Sequence, residues 1–245
     1  MAVRPTVDGR FYQVATPRSV GERLTIVARQ RIYEDFVKYC RPSPQDKILD
    51  VGVSDVINEA ANMLERKYPH QDQITAVGIG EGDGFYAAFP QVAYHRIEAN
   101  RPLPFPAQSF DIAVSNAVLE HVGSEQHQVS FVNEMVRVAR RVFITVPNRY
   151  FPVEHHTAIP LLHFWTKSFE FACRYLDKSE WADERNLILM PRRRLSALAP
   201  AGLATNVGYT GIAAGVFSSN LFLFIDTAVA GPPGSGVPGE GPSAA

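Results

Sequence analysis

The sequence predicts an α/β fold with a doubly wound, mostly parallel sheet, and three observations support this prediction. Short apolar runs recur along the chain and are continuous in their hydrophobicity, as expected of strands that are buried on both faces. Segments with helical apolar spacing separate these runs, which is typical of a parallel sheet covered by helices. The first run, residues 47–51, leads into a glycine turn at Gly52 and then into a helical segment.

Composition and charge exclude several classes of protein. With 245 residues, of which 46% are hydrophobic, the chain can bury a core, and we expect residues 21–230 to form a single domain. A net charge of −1 gives no electrostatic footprint for a nucleic-acid backbone, and no apolar run approaches the length of a membrane span. Because the first residues lack the apolar region of a secretion signal, we expect a cytoplasmic protein without nucleic-acid or membrane partners.

The N-terminal part divides into an arm and a helix. Residues 1–20 contain prolines and a glycine without a sustained period and predict a flexible arm. Residues 21–40 predict an amphipathic helix, whose apolar face is expected to contain Leu24, Val27, Ile32, Phe36 and Val37. Arg41-Pro42-Ser43-Pro44 ends this helix, because proline removes a donor and favours extended geometry in the residue before it.

The turn after the first strand has the features of a nucleotide-type site. Gly52 lets the backbone approach a ligand closely, and the start of the following helix presents free N–H groups. Either Ser54 or Asp55 can cap this helix. Its buried face is predicted to contain Val56, Ala60, Met63, Leu64 and Lys67.

Four further strands follow, at residues 74–79, 92–97, 110–115 and 141–147, and a helix over residues 126–140 separates the last two. Ligands of such sheets bind at the carboxyl ends of the strands, where Ser115, Asn116 and His121 follow the fourth strand.

Three segments make up the rest of the chain. Residues 148–192 include helix-like apolar spacing and predict a cover over the sheet edge. Residues 203–226 predict a hairpin of two strands around Gly211 and Gly215. Residues 231–245 contain nine glycines and prolines among fifteen residues, too few apolar groups to offset the cost of ordering, and predict a disordered tail.

An ordered set of motifs links these elements to a known family. Asp50-Val51-Gly52 is followed by Leu103-Pro104-Phe105, by Ser109-Phe110-Asp111 and by Leu119-Glu120-His121-Val122. This series resembles the class I S-adenosylmethionine-dependent methyltransferases, in particular their small bacterial, methyltransferase-11-like branch, over about residues 45–165. The resemblance implies a Rossmann-like sheet of seven strands with an antiparallel C-terminal strand. It also implies S-adenosylmethionine as cofactor and methyl transfer to a small-molecule or glycan-type acceptor, by O- or N-methylation.

The resemblance further assigns cofactor contacts. The first turn would hold the cofactor through Asp50, Gly52, Val53 and Ser54. Glu81 would bind the ribose hydroxyls, with Asp83 as substitute, because this chain has Gly80 where relatives place the acid. Asn100 or Glu98 would face the adenine amino group, although a turn-forming asparagine is an alternative. Ser115 and Asn116 complete the cofactor set. The helix over residues 21–40 would form part of a lid, in which Arg29, Arg31 and Tyr33 could face the pocket or be solvated groups on a surface helix.

The segment after the fifth strand is the predicted acceptor site. It carries one carboxylate and three imidazoles in the sequences Pro147-Asn148-Arg149-Tyr150-Phe151-Pro152-Val153-Glu154-His155-His156-Thr157 and Pro160-Leu161-Leu162-His163-Phe164-Trp165. The predicted catalytic residues are Glu154, His155, His156 and, beyond the fourth strand, His121, because a histidine with a pKa near neutrality suits a general base. The predicted substrate contacts are Arg149, Tyr150 and His163. Alternatively, this is a loop pinned by prolines whose histidines bind backbone groups.

Three other functions were weighed from the residues. Adjacent histidines in extended chain point to opposite sides, so no metal site is predicted in residues 154–163. A nicotinamide-dependent oxidoreductase would need the fingerprint G-x-G-x-x-G, which is absent after Gly52. A non-catalytic binding module with the same fold is the remaining alternative.

Overall fold

The computed structural model describes residues 20–55, 57 and 61–230. The predicted arm, except its last residue, and the predicted tail over residues 231–245 lie outside the described residues. The same is true of Val56 and residues 58–60, which belong to the helix predicted after the first turn. Those predictions therefore stay predictions.

The described chain forms a sheet of seven strands. Their bounds are β1 Ile48–Val51, β2 Ile74–Gly78, β3 Ala93–Arg96, β4 Phe110–Asn116, β5 Ala139–Pro147, β6 Leu203–Ala214 and β7 Phe217–Ala230. The strand order is β3-β2-β1-β4-β5-β7-β6. Only β7 runs against the others, because it pairs antiparallel with both β5 and β6. The predicted fold class is confirmed, including the reversed C-terminal strand.

Helices cover the two faces of this sheet. They are α1 Val20–Cys40, α2 Met63–Lys67, α3 Asp83–Ala88, α4 Glu125–Val138, α5 Thr166–Tyr175 and α6 Arg192–Ala197. On one face α1 contributes Phe36, which packs edge-on against Phe143 of β5 with ring centroids 6.1 Å apart. On the other face α4 contributes Val132 and Met135 to a separate apolar core. In the described part of the chain, no helix is both long enough and apolar enough to cross a membrane.

Helix α1 forms where it was predicted, but its buried face differs. The buried residues are Ala28, Ile32, Phe36 and Cys40. By contrast Leu24, Val27 and Val37 are 51%, 46% and 40% exposed. The buried positions are spaced by four and therefore lie in one narrow stripe against the sheet. The predicted face mixed two neighbouring stripes, because large apolar residues were favoured over the smaller Ala28 and Cys40.

The segment after β1 also differs from its prediction. Asn62 has a left-handed backbone with φ of +52°, and helix α2 starts only at Met63. The side chain of Asn62 accepts from the Ser54 N–H at 2.9 Å and donates to the Ser54 carbonyl at 2.8 Å. This side chain therefore occupies the backbone groups that were expected to start a helix at Ser54. On α2 the buried charged residue is Glu65, whereas Lys67 is only half-buried.

The register of the central strands brings their carboxyl ends to one edge. Asp50 of β1 pairs with Ala76 of β2 on one side and with Val114 of β4 on the other. The turn at Gly52 and the end of β4 at Asn116 therefore lie side by side at this edge. The candidate site is built on it.

Candidate functional site

Gly52 turns the chain at the carboxyl end of β1. Its φ is +96°, and its N–H donates to the Val77 carbonyl at 2.8 Å. A Cβ at this position would lie 2.4 Å from a methyl carbon of Val118. Both the backbone conformation and the lack of space therefore require glycine here. Val53 continues the turn and also donates to the Val77 carbonyl, at 3.1 Å.

Two buried carboxyl groups face each other behind this turn. Asp50 is 7% exposed, and Glu65 of α2 is fully buried. Burial, together with the charge of Asp50, raises the pKa of Glu65 well above its usual range. Burial likewise raises the pKa of Asp50 to about 7, although Glu65 and the charge of Arg29 oppose this change. Sequence reasoning missed Glu65, and the available signal was an acid directly after the apolar Met63 and Leu64.

Arg29 connects the N-terminal helix to the sheet edge. Its guanidinium donates to the Asn116 side chain at the end of β4. Burial lowers the pKa of Arg29 to about 10, against the charges of Glu120 and Asp50. Its Nε atom is buried and has no hydrogen-bond partner among the described residues. The structure thus places Arg29 at the sheet edge, whereas Arg31 of the same helix is exposed.

Asn116 and Ser115 hold the end of β4 in place. The Asn116 side chain accepts from the Thr145 hydroxyl at 2.6 Å, in addition to its bond from Arg29. The Ser115 hydroxyl is buried and donates to the Val51 carbonyl at 2.9 Å, which ties β4 to β1.

The glycine-rich loop after β2 is closely packed. Asp55 accepts from the N–H groups of Gly82 and Phe85 at 2.7 and 3.3 Å, so it joins the first turn to this loop and to the start of α3. A Cβ at Gly80 would lie 2.6 Å from the Asp55 carboxylate, and one at Gly82 would lie 2.5 Å from the Tyr94 ring. These glycines are thus needed for packing.

The remaining predicted cofactor contacts are at the surface. Glu81 has a 69% exposed side chain and forms an ion pair with Arg96 of β3. Asn100 is exposed and has a φ of +58°, as in the turn-forming alternative. The structure therefore groups Asp50, Gly52 and Asn116 closely but leaves Glu81 and Asn100 at the periphery of the same edge.

A cleft lies beyond the carboxyl ends of β4 and β5. It is narrow and partly open to solvent, and its polar lining comes from Glu120, Asn148, Arg149, Glu154, His155 and His163. Four of the predicted acceptor-site residues therefore meet here. Tyr150 lies nearby and is 46% exposed, with its ring edge-on to Phe164. Burial lowers the pKa of His155 to about 4, so its imidazole is neutral at physiological pH.

His163 and Arg149 are held in the cleft by hydrogen bonds to neighbouring groups. Nε2 of His163 donates to the Phe151 carbonyl at 2.8 Å. The Arg149 guanidinium donates to the Thr166 hydroxyl at 3.0 Å and, at 3.3 Å, to the Phe164 carbonyl. These bonds fix the two side chains in the cleft wall.

His121 and His156 form a buried cluster under the cleft with Glu120 and Glu154. Nε2 of His121 and Nε2 of His156 are 3.1 Å apart. Nδ1 of His156 is 2.9 Å from the Glu154 carboxylate, and Nδ1 of His121 is 2.6 Å from the Asn186 carbonyl. Although burial opposes it, the charge of His156 holds the pKa of Glu154 well below its usual range.

The structure brings metal-ligand types together where sequence spacing did not suggest it. One atom each from Glu120, His121 and His156 lies within 4.8 Å of the others. The prediction of no metal considered only residues 154–163, whereas two of these three groups come from the turn after β4. The available signal was the pair Glu120-His121, of which only the histidine was considered functional.

Comparisons with known proteins agree with this architecture. Residues 50–142 match the family model described as a methyltransferase domain. The matched segment begins at Asp50 and ends within β5. No curated protein matches the chain. Many solved structures share its fold.

Three of these structures show the range of the similarity. The methyltransferase domain of bacterial CtHen1 has a TM-score of 0.51 and 14% identity, with 84% of this chain and 97% of that chain covered. The N-methyltransferase NodS from Bradyrhizobium japonicum, solved with S-adenosylhomocysteine, has a TM-score of 0.54 and 11% identity, with 91% and 94% covered. A protein from Rhodobacter sphaeroides named for the Zn-dependent alcohol dehydrogenases has a TM-score of 0.56 and 10% identity, with 90% and 94% covered. At such identities the similarity shows the fold alone.

Proposed function

We infer that this chain, which carries a methyltransferase domain on the class I fold, transfers the methyl group of S-adenosylmethionine to a small-molecule or glycan-type acceptor. The domain match supports the predicted enzyme class and, with it, S-adenosylmethionine as the cofactor. The acceptor, the atom that is methylated and the roles of individual residues are what we propose below.

The residues at the sheet edge fit this cofactor. The amino-acid end of S-adenosylmethionine carries an ammonium and a carboxylate, and the edge offers one group of opposite charge for each. The carboxylate of Asp50 suits the ammonium, and the Arg29 guanidinium, with its unpartnered Nε, suits the carboxylate. Gly52 adds no side chain of its own to the turn, and Val118 packs against it on the Cβ side.

The observation that carries the proposal is the position of Arg29 between the two parts of the site. Its charge interacts with Asp50 of the first turn and with Glu120 of the cleft. Cofactor residues and cleft residues therefore adjoin, which methyl transfer requires, because acceptor and methyl group must be held at near-attack distance.

The chain's own contribution is to position the acceptor and to exclude water. The bound cofactor supplies a methyl group already activated on a sulfonium, and good orientation can account for roughly 7–11 kcal/mol of the barrier. Glu154 and His155 line the cleft with Arg149 and His163, a polar set that suits an acceptor with hydroxyl or amine groups. We assign acceptor contact to His155, because its neutral imidazole faces the cleft.

Calorimetric titration of the full chain tests the proposal. We expect micromolar binding of S-adenosylmethionine and S-adenosylhomocysteine and no binding of NADPH, the control for an oxidoreductase. Binding of NADPH alone by folded protein would contradict the proposal. If the folded protein binds none of the three compounds, the non-catalytic binding module is favoured.

A screen of small hydroxyl and amine compounds, followed by formation of S-adenosylhomocysteine, would then identify the acceptor. We expect His155→Gln to lower kcat at least tenfold while cofactor affinity stays within about twofold. The exposed His95→Gln serves as control and should change neither constant. Equal kinetics for both variants would remove His155 from the acceptor site.

A further inference from the structure

Glu120 is an unusual buried carboxylate. It is 1% exposed, and neither of its oxygens has a hydrogen-bond partner among the described residues. One of them lies 3.9 Å from Nε2 of His121. A buried carboxylate that accepts no hydrogen bond is costly, and proteins retain such groups where they coordinate something.

The two imidazoles beside Glu120 are held in one orientation. The carbonyl of Asn186 can only accept a hydrogen bond, so Nδ1 of His121 carries a proton. The Glu154 carboxylate likewise accepts from Nδ1 of His156. Nε2 of His121 is therefore an acceptor, and the Nε2 atoms of the two rings lie 3.1 Å apart. A single cation, a proton or a metal ion, fits between them.

We propose that Glu120, His121 and His156 bind a divalent first-row transition-metal ion such as Zn²⁺. One atom of each lies within 4.8 Å of the others, and two of the separations are 3.1 and 3.9 Å. Bonds of about 2.0–2.1 Å to tetrahedral Zn²⁺ place ligand atoms roughly 3.4 Å apart. These two separations lie on either side of this value and the third is within 4.8 Å, so rotation of the three side chains would close the site.

The surroundings support a transition metal over Mg²⁺ or Ca²⁺. Two imidazole nitrogens and one carboxylate suit Zn²⁺, Mn²⁺ or Co²⁺, whereas the hard cations prefer all-oxygen sites. Glu154 and the Asn186 carbonyl hold the far nitrogens of the two rings, as outer-shell partners of metal-bound histidines do. The Trp181 ring lies 5.0 Å from His156 and walls the cluster on one side.

The site has a chemical consequence that rests on the proposed function. Glu120 also lines the cleft, so an ion bound to it would lie beside the proposed acceptor. An acceptor hydroxyl whose oxygen binds the ion loses its proton to water at the cleft mouth more readily. Its oxygen then attacks the methyl carbon, and the carbon–sulfur bond breaks with its electron pair left on sulfur. Metal binding would thus select hydroxyl acceptors.

The test is metal titration of the full chain after removal of metals with EDTA. With Zn²⁺ alone we expect one ion per chain by calorimetry, and with Co²⁺ a visible absorption band typical of tetrahedral nitrogen and oxygen ligands. Glu120→Gln and His156→Gln should each weaken Zn²⁺ binding at least 100-fold. Glu154→Gln, which leaves all three ligands in place, should weaken it about 10- to 100-fold. The exposed His95→Gln is the matched control and should bind as the parent does.

Two outcomes would overturn the proposal. One is the absence of stoichiometric Zn²⁺ or Co²⁺ binding. The other is equal binding by Glu120→Gln, His156→Gln and the control, which would mean that surface histidines bind the ion. Thermal melting checks that each variant is folded, and the two ligand variants remove separate groups. Titration of the EDTA-treated protein with S-adenosylhomocysteine separates the two proposals, since cofactor binding without Zn²⁺ binding leaves the methyltransferase function intact and removes only the metal.

Discussion

At Gly52 both the backbone conformation and the lack of space for a side chain require glycine. We expect Gly52→Ala to lower the free energy of unfolding by about 1–3 kcal/mol and to weaken S-adenosylhomocysteine binding at least tenfold, because alanine tolerates neither the φ of +96° nor the contact with Val118. Denaturant unfolding and calorimetry measure both effects. The double variant Gly52→Ala, Val118→Ala removes the contact but keeps the backbone strain, so it should recover part of the loss. Wild-type behaviour of Gly52→Ala would contradict the described turn.

Glu65 gives a prediction about pH. Burial raises the pKa of Glu65 and of Asp50 above the values of unfolded chains. The folded state therefore holds these protons more tightly, so the stability from this pair is present below about pH 4 and is lost as pH rises through about 7, the folded pKa of Asp50. We expect Glu65→Gln to reduce this loss, on the order of a few kcal/mol, because glutamine stays neutral.

Urea unfolding at about pH 5 and about pH 8 measures the difference. Wild type should lose more stability over this range than Glu65→Gln does. The control is Glu98→Gln, whose parent side chain is 82% exposed and should leave the pH dependence unchanged. Parallel curves for all three proteins would show that Glu65 is ionised in the folded state.

At the scale of elements, helix α1 is joined to the sheet edge by Arg29. Removing this guanidinium leaves the buried charges of Asp50 and Glu120 without their cation. We expect Arg29→Ala to speed amide hydrogen exchange in α1 and to weaken S-adenosylhomocysteine binding at least tenfold. Arg31→Ala changes an exposed arginine on the same helix and is the matched control. Identical exchange in the two variants would mean that Arg29 does not fasten α1.

The elements also show what the sequence determines and what it leaves open. Every strand was predicted near its observed place, because the middle of a strand buried on both faces is a continuous apolar run, as at residues 112–114 in β4 and residues 142–144 in β5. The predicted helix start at Ser54 or Asp55 was wrong, because the Asn62 side chain binds the backbone of Ser54. This contact depends on how the chain folds back and not on the local spacing of apolar residues.

The candidate site also has a part that the local sequence predicts and a part that depends on tertiary placement. The turn at Gly52 and the cleft residues Arg149 and Glu154 were predictable, since the carboxyl ends of parallel strands gather at one edge. The cluster of Glu120, His121 and His156 was not, because its members come from separate segments and their distances are set by the loops that carry them.

At the scale of the whole molecule, the two parts of the site depend on one sheet. Strands β1 and β4 carry the cofactor edge, and β4 and β5 carry the cleft, so β4 belongs to both. A ligand that binds only the folded protein stabilises the entire sheet, and at a concentration of about 100 times Kd this amounts to about 2.7 kcal/mol.

For a chain of this size, about 2.7 kcal/mol corresponds to a rise in Tm of about 5–10 °C. We therefore expect saturating S-adenosylhomocysteine to raise the Tm of the full chain by this amount in a thermal-shift measurement, and we expect NADPH to leave it unchanged. Arg29→Ala should show a smaller shift at the same ligand concentration, because its affinity is lower, whereas Arg31→Ala should show the full shift. A shift with NADPH equal to that with S-adenosylhomocysteine would mean that the edge at Asp50 and Gly52 selects a dinucleotide, and the assignment of Arg29 to the cofactor carboxylate would fall with it.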